Sequence, residues 1–333
     1  MKRILVITVN WLGDSILTTA AFKALKDKFP ASYVGVLAVE RVRAVFDNNP
    51  YIDEVIVFDE KKKSFGAKLE FARRLKTKHF DTVFLIHRSF TRASICWLAG
   101  IKQRIGYARP KNLFVLTRRI KPPHEPIHRQ DYYLYLFEKC GIPLPQRLPQ
   151  FFIPQNTRTK TNEYLKTLTG TYSHVVGMNP SANWDLKRWP KENFARLADR
   201  LMEELNCAVI FVGAAANAFY IEGVIEKMDN KPINMCGKTN LKELAALIEQ
   251  TELFISNDSG PAHLAAALKV PLLVLFGPTS PQQTSPRGQT VTIIREDIKC
   301  ETPCYKLNCE DNICMKKIKV EDVFQKAKEH LEK

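Results

Sequence analysis

Short apolar runs recur along the chain, each followed by a stretch whose apolar residues return every three or four positions. The first run, residues 4–9, reads Ile-Leu-Val-Ile-Thr-Val and leads through a polar turn into an amphipathic helix ending at Phe29. The same alternation predicts strands over 33–39, 55–58, 82–87 and 104–107, with helices over 65–78 and 90–99 between them. Strands apolar on both faces and separated by amphipathic helices predict a parallel sheet covered on two sides. Residues 108–125, rich in proline and charge, read as a surface loop, and a helix bearing Tyr132, Tyr133, Tyr135 and Leu136 follows. Residues 142–156 hold Pro143, Pro145, Pro149 and Pro154 without helical periodicity, which predicts an interdomain linker.

The second half repeats the pattern. Strands are expected over 175–178, 208–212, 233–235, 253–256 and 272–276, with an edge strand over 291–294. Phe194, Leu197, Ala198, Leu201 and Leu205 mark one helix face, and Leu241, Leu244, Ala245 and Ile248 another. The expected fold class is α/β: two Rossmann-like, doubly wound domains, 1–150 and 151–318, facing each other across a cleft lined by carboxyl ends of strands. A closing helix in 319–333 is expected to pack back on the first domain.

A chain of 333 residues is long enough for two separate cores. No apolar run approaches the ~18 residues that span a bilayer. The amino terminus places two cations before a short apolar run but lacks a small-residue cleavage site, so it reads as a first strand rather than a signal peptide, and the expected compartment is the cytoplasm. Net charge is +15, unevenly spread: residues 60–129 hold 18 Lys/Arg against 4 Asp/Glu, the remainder 32 against 31. A basic region of this kind attracts nucleic acid, an anionic membrane surface or a phosphorylated substrate. No nucleic-acid motif accompanies it, so nucleic acid is set aside as a partner. Cys96, Cys140, Cys207 and Cys236 sit among apolar neighbours and read as core. Cys300, Cys304, Cys309 and Cys314 form C-x3-C-x4-C-x4-C, looser than structural zinc knuckles; metal ligation, a disulfide and free thiols all remain open.

Three segments carry candidate chemistry. In residues 252–263 an apolar strand stops at Asn257-Asp258-Ser259-Gly260, and Pro261 suits the first helical position. Such a strand-to-helix turn offers free N–H groups and a positive helix end to an anion, with the donors coming from Ser259, Gly260, Ala262 or His263, because Pro261 has none. His263, one turn in, either holds the loop by a hydrogen bond or fills core space. The turn Phe276-Gly-Pro-Thr-Ser-Pro281, after the next strand, would add a wall to the same pocket. The second segment, Asn10-Trp11-Leu12-Gly13-Asp14-Ser15, places a carboxylate at a helix start, where it either caps the helix or accepts a proton. The third, Asn179 to Pro190, carries Ser181 and then, between Trp184 and Trp189, Lys187 and Arg188; a lysine there is either an exposed loop cation or a group able to neutralise charge on a departing diphosphate. Neither a G-x-G-x-x-G fingerprint nor a P-loop occurs, and the turns at Gly213 and Gly237 do not supply one.

Taken together, Leu12-Gly13-Asp14, Lys187-Arg188-Trp189-Pro190, Asp258-Ser259-Gly260-Pro261-Ala262-His263 and Phe276-Gly277-Pro278-Thr279 resemble glycosyltransferase family 9, the ADP-heptose:lipopolysaccharide heptosyltransferases. The order and separation of these pieces match over essentially the whole chain, and the cysteine tail is similar to one found in many members. The Lys-Arg-Trp-Pro form and that tail lean toward the heptosyltransferase II type.

The resemblance implies a GT-B fold and an inverting transfer that needs no metal ion or other cofactor. It implies Asp14 as general base and Lys187 on the donor diphosphate. Ser181, Asp258, Ser259, Gly260, His263 and Gly13 are the implied donor-side residues. The implied donor is ADP-heptose, and the implied acceptor is the anionic lipid A–Kdo core at the inner face of the cytoplasmic membrane. In that setting the basic region acquires a use. His87, Arg88, Ser89 and Arg92 follow strand 82–87, with Arg88 and Arg92 as candidate acceptor contacts, while Lys61–Lys63, Arg73 and Arg74 suit peripheral attachment to the membrane surface. A GT-B transferase for another nucleotide-sugar, or for a protein acceptor, is the competing reading; a non-catalytic nucleotide-binding scaffold is a third.

Overall fold

Residues 2–62, 64–304 and 308–332 are described by the computed structural model. The first unit ends at Phe152 and the second begins at Ile153, two residues beyond the expected boundary. Each is a six-stranded, all-parallel sheet with helices on it.

In the first unit the strands are β1 (Arg3–Ile7), β2 (Tyr33–Ala38), β3 (Glu54–Val57), β4 (Thr82–Leu85), β5 (Gln103–Tyr107) and β6 (Arg118–Ile120). Its helices are α1 (Leu12–Leu17), α2 (Ala20–Lys28), α3 (Arg43–Phe46), α4 (Phe65–Lys76), α5 (Phe90–Leu98) and α6 (Arg129–Glu138). The strand order is β3-β2-β1-β4-β5-β6. Four successive residues of β1 are fully buried, as a strand covered on both faces requires.

The second unit repeats the winding with β7 (His174–Asn179), β8 (Cys207–Phe211), β9 (Ile233–Asn234), β10 (Leu253–Asn257), β11 (Leu272–Leu275) and β12 (Val291–Ile294), ordered β12-β11-β10-β7-β8-β9. The helices are α7 (Gln155–Thr169), α8 (Lys191–Leu205), α9 (Ala218–Ile225), α10 (Leu241–Glu249), α11 (Gly260–Ala267), α12 (Pro281–Thr284), α13 (Ile313–Lys316) and α14 (Val320–Leu331). Counted from its own first strand, each sheet has the order 3-2-1-4-5-6. Each therefore has a topological switch point, between β1 and β4 in one and between β7 and β10 in the other.

Four elements depart from the sequence pattern. The single helix expected to reach Phe29 is two, because the Thr18 and Thr19 hydroxyls bond back to the carbonyls of Ser15 and Ile16, both at 2.7 Å, and the chain turns there. The loop expected over 108–125 contains β6, which pairs with β5; its Arg-Arg-Ile sequence buries only Ile120 and so shows no apolar run. Helix α7 starts inside the expected linker, and of its fifteen residues only Leu165 is buried, leaving no apolar stripe to read. The closing helix, expected on the first domain, packs instead on α8: Val323, Phe324, Ala327 and Leu331 join the core of the second unit, where Phe324 also lies under the Arg200 guanidinium at 3.8 Å.

All eight cysteines are free thiols, and among the described residues no group of three or more His, Cys, Asp or Glu is placed to hold a metal. Cys96, Cys207 and Cys236 are buried, as expected of core residues, and Cys140 is half-buried. No helix among the described residues is long and apolar enough to cross a membrane.

Gly177, in the middle of β7, makes a close approach possible. A Cβ there would lie 2.6 Å from Cδ2 of the buried Phe254 ring and 3.1 Å from Cγ2 of Thr251. Gly177→Ala is therefore expected to destabilise the protein by ~1–3 kcal/mol through overpacking, measured as a lower urea midpoint with an unchanged slope.

Candidate active site

In a doubly wound sheet, the loops at the switch point leave toward opposite faces and open a crevice at the carboxyl ends of two neighbouring strands. In the first unit that crevice is built from the loop after β1 and the loop after β4. Gly13 is buried in the first turn of α1, and the next residue, Asp14, is half-buried. Asp14 Oδ1 accepts a 2.8 Å hydrogen bond from Tyr133 Oη on α6. Burial, together with the carboxylate of Asp14, pushes the Tyr133 phenol well above its ordinary value, so it is a donor and not a proton acceptor; Arg129 works against that shift. Tyr133 was legible in the sequence only as one of a run of helix aromatics. The available signal was that a buried tyrosine needs a partner for its hydroxyl.

The two candidate acceptor arginines have different surroundings. Arg88 is exposed, and its guanidinium lies 4.5 Å from the centre of the Tyr132 ring, which in turn stacks on Tyr107. Arg92 is only 3% exposed and turns inward. It donates to the Thr8 carbonyl at 3.1 Å and to Asn10 Oδ1 at 2.8 Å. Glu60 receives Asn10 Nδ2 at 2.8 Å and Arg41 at 2.8 Å, closing the network around the loop. Burial holds the Arg92 guanidinium down to about 10, with Glu60 pulling the other way. Arg92 is thus committed to the loop that carries Asp14. His87 accepts from the Ser89 N–H through Nδ1 at 3.1 Å, and burial with the nearby Arg92 pushes its ring down to about 4, so it is neutral at pH 7.

In the second unit the loops after β7 and β10 meet in the same topological position. Asn257 Nδ2 donates to the Pro180 carbonyl at 2.7 Å, and its Oδ1 accepts from the Trp189 N–H at 3.1 Å. Asn179 Nδ2 donates to Ser259 Oγ at 2.8 Å, while its Oδ1 accepts from Ser181 Oγ at 2.8 Å. Trp189 is wholly buried, with its indole N–H on the Ile318 carbonyl at 3.0 Å, and this anchors the end of the Lys187 segment. Lys187 Nζ lies 2.6 Å from Asp258 Oδ2, and the same oxygen accepts from Thr279 Oγ1 at 2.7 Å. Asp258 is 6% exposed, so both oxygen partners are needed to offset the burial of its charge. Ser259 caps α11 in extended backbone with its hydroxyl engaged by Asn179 and Ser256 rather than by the helix, so the first-turn N–H groups have no capping side chain. His263 is buried in α11. Hydrogen bonds and an ion pair join Ser181 to Ser259 through Asn179, and Lys187 and Thr279 to Asp258; Asn179 and Asn257, which hold the two loops together, carry no motif of their own.

The first site thus presents a carboxylate with one oxygen claimed by a neutral donor. The second presents an ammonium, hydroxyls and a helix start. The first has the chemistry of a proton acceptor and the second that of an anion site.

Comparison with known proteins gives the family of the chain. Residues 68–313, well over half of the chain, match Glyco_transf_9, Glycosyltransferase family 9 (heptosyltransferase). The chain is 29% identical over 311 residues to lipooligosaccharide heptosyltransferase 2 of Haemophilus ducreyi, covering 88% of each protein. It is 26% identical over 306 residues to lipopolysaccharide heptosyltransferase 2 of Escherichia coli, again covering 88% of each. Among solved structures, a family 9 glycosyl transferase from Veillonella parvula superposes with a TM-score of 0.87 at 27% identity, covering 99% of this chain and 97% of that one. The E. coli ADP-heptose lps heptosyltransferase II superposes with a TM-score of 0.83 at 25% identity, covering 99% and 98%. The two parallel six-stranded sheets are those of a GT-B-like transferase, and the chain belongs to glycosyltransferase family 9, the heptosyltransferases.

Proposed function

We propose that this protein transfers heptose from ADP-heptose to the inner core of lipopolysaccharide, with inversion at the anomeric carbon. The observation that carries the reading is the complementary chemistry of the two switch points, a carboxylate at Asp14 and an ammonium at Lys187 beside a helix start. Displacement at a sugar carbon needs a base for the incoming hydroxyl and charge stabilisation for the departing diphosphate. Asp14 takes the acceptor proton. Lys187 and the first-turn amides of α11 take up the charge that develops on ADP. Ser181, Ser259 and Gly260 line the donor side, and Asp258 is a positioning residue that aims Lys187 rather than a base, since one of its oxygens is held by both Lys187 and Thr279. The first unit is the acceptor domain and the second the donor domain. The family membership of the chain, and the names of its relatives, support the choice of heptose and of a lipopolysaccharide acceptor.

Arg88, exposed beside an aromatic ring, is the acceptor-anion contact. Arg92 acts on the acceptor side indirectly, by bracing the loop of Asp14. The protein works at the inner face of the cytoplasmic membrane as a peripheral enzyme. Exposed Lys61, Lys62, Arg73 and Arg74, with Phe65 75% exposed beside them in sequence, support attachment to anionic lipid; Lys63, of the same run, lies outside the described residues.

Three measurements test this reading. In a donor panel with heptose-deficient lipopolysaccharide, ADP-heptose is expected to be turned over with release of ADP while UDP-sugars release no UDP; turnover of a UDP-sugar, or transfer to protein alone, would favour the competing transferase reading. Asp14→Ala is expected to lower kcat by ~10²–10⁴-fold while ADP affinity stays within about twofold, and retained turnover removes Asp14 from the role of base. Replacing Lys61, Lys62, Arg73 and Arg74 by glutamine together is expected to weaken binding to phosphatidylglycerol vesicles by roughly a hundredfold to a thousandfold, at ~1 kcal/mol per cation. Unchanged sedimentation with vesicles would move the membrane contact elsewhere.

A further inference from the structure

We propose that Tyr133 is a positioning residue for the transfer: its hydroxyl occupies Oδ1 of Asp14 and thereby assigns Oδ2 to the acceptor proton. The inference rests on the reading of Asp14 as the base. A carboxylate has two equivalent oxygens and a soft terminal torsion, so left alone it presents either oxygen over a range of angles. A base aimed by a fixed donor does not, and misplacement by about 1 Å costs on the order of a hundredfold in rate.

The geometry meets each requirement of that role. The hydrogen bond is 2.8 Å, within the range of a strong O–H···O contact to a charged acceptor. The ring of Tyr133 is buried at 6% exposure on α6, which packs on α1, so the donor is fixed by the core and not by a loop. Tyr132 packs edge-on against it at 6.1 Å and is itself stacked on Tyr107, whose hydroxyl bonds to the Tyr132 carbonyl. The charged groups that act on the Tyr133 hydroxyl are Asp14 from α1 and Arg129 from one turn earlier in α6. Burial and Asp14 keep the phenol protonated far above neutral pH, so it donates throughout the working range. In the reaction the acceptor O–H gives its proton to Oδ2 of Asp14. The oxygen's electron pair forms the bond to the anomeric carbon as the bond to the diphosphate breaks, and that bond's pair departs with ADP. The proton on Asp14 then passes to water.

Tyr133→Phe removes the donor and keeps the ring. It is expected to lower kcat about tenfold to a hundredfold, the scale of one hydrogen bond to a charged group, with the KM values of both substrates within about twofold. Because the donor favours the charged carboxylate, its loss is expected to move the acid limb of the kcat profile to higher pH. A fluorotyrosine at position 133, a stronger donor of nearly the same shape, is expected to move that limb to lower pH, a shift that packing alone does not produce. A kcat within twofold of the native enzyme with an unmoved acid limb would overturn the proposal. Should Tyr133→Phe melt early, the fluorotyrosine protein decides alone: an unmoved limb overturns it. Asp14→Asn separates this from the underlying reading. If Asp14→Asn still turns over, the base assignment fails; if it is inactive while Tyr133→Phe is native-like, only the positioning role fails. In the Asp14→Asn background, Tyr133→Phe is expected to cost nothing further, and an additive loss also overturns it.

Discussion

The structure depends on closing the gap that opens where neighbouring parallel strands send their chains to opposite faces. At each switch point the backbone of one strand end loses its partner, and a polar group buried without one costs free energy. Both sheets meet this with a buried polar side chain that reaches across. In the first unit Arg92, from the start of α5, donates to Thr8 and Asn10 beyond β1. In the second, Asn257 at the end of β10 bonds to both Pro180 and Trp189 beyond β7, and Asn179 answers from β7 to Ser259. The loops that these groups hold are the ones that carry Asp14, Lys187 and the start of α11. Positioning of Asp14, Lys187 and the start of α11 and satisfaction of the sheet ends are therefore one task.

The two closures leave different electrostatics behind. Around Asp14 the nearest partner is a neutral phenol, which engages one oxygen of the carboxylate. Around Lys187 the partner is a buried carboxylate that also binds Thr279, so the ammonium is aimed and its own desolvation is offset. Under the proposed function, a donor diphosphate competes with Asp258 for Lys187 and gains the amides of α11 as well. The repeated fold thus supports two unlike sites: topology supplies the crevice, and a handful of side chains decides its sign.

Most of the fold was legible because a parallel sheet under helices imposes a strong period. Wherever strands were buried on both faces, as in β1, β8 and β10, the apolar run marked them within a residue or two. Among the elements that escaped are two with no apolar period of their own: β6, which buries only Ile120, and α7, which buries only Leu165. Both are held by a neighbour, β5 in one case and α10 in the other, and not by their own composition. The closing helix displayed its apolar stripe clearly, but a stripe does not name its partner, and it packed on α8 rather than on the first domain.

The sequence by itself determined the fold class and the family, because turn chemistry, apolar period and motif order are local properties of the chain. Tertiary structure alone decided which groups meet. Asp14 and Tyr133 are 119 residues apart yet share a 2.8 Å hydrogen bond, and Lys187 and Asp258, 71 residues apart, share a 2.6 Å contact. It also turned Arg92 from a candidate ligand contact into a brace, since burial and two fixed acceptors leave its guanidinium committed to the loop of Asp14. Direction and burial of a long side chain are set by what packs around it, and that information is spread over the whole unit rather than written beside the residue.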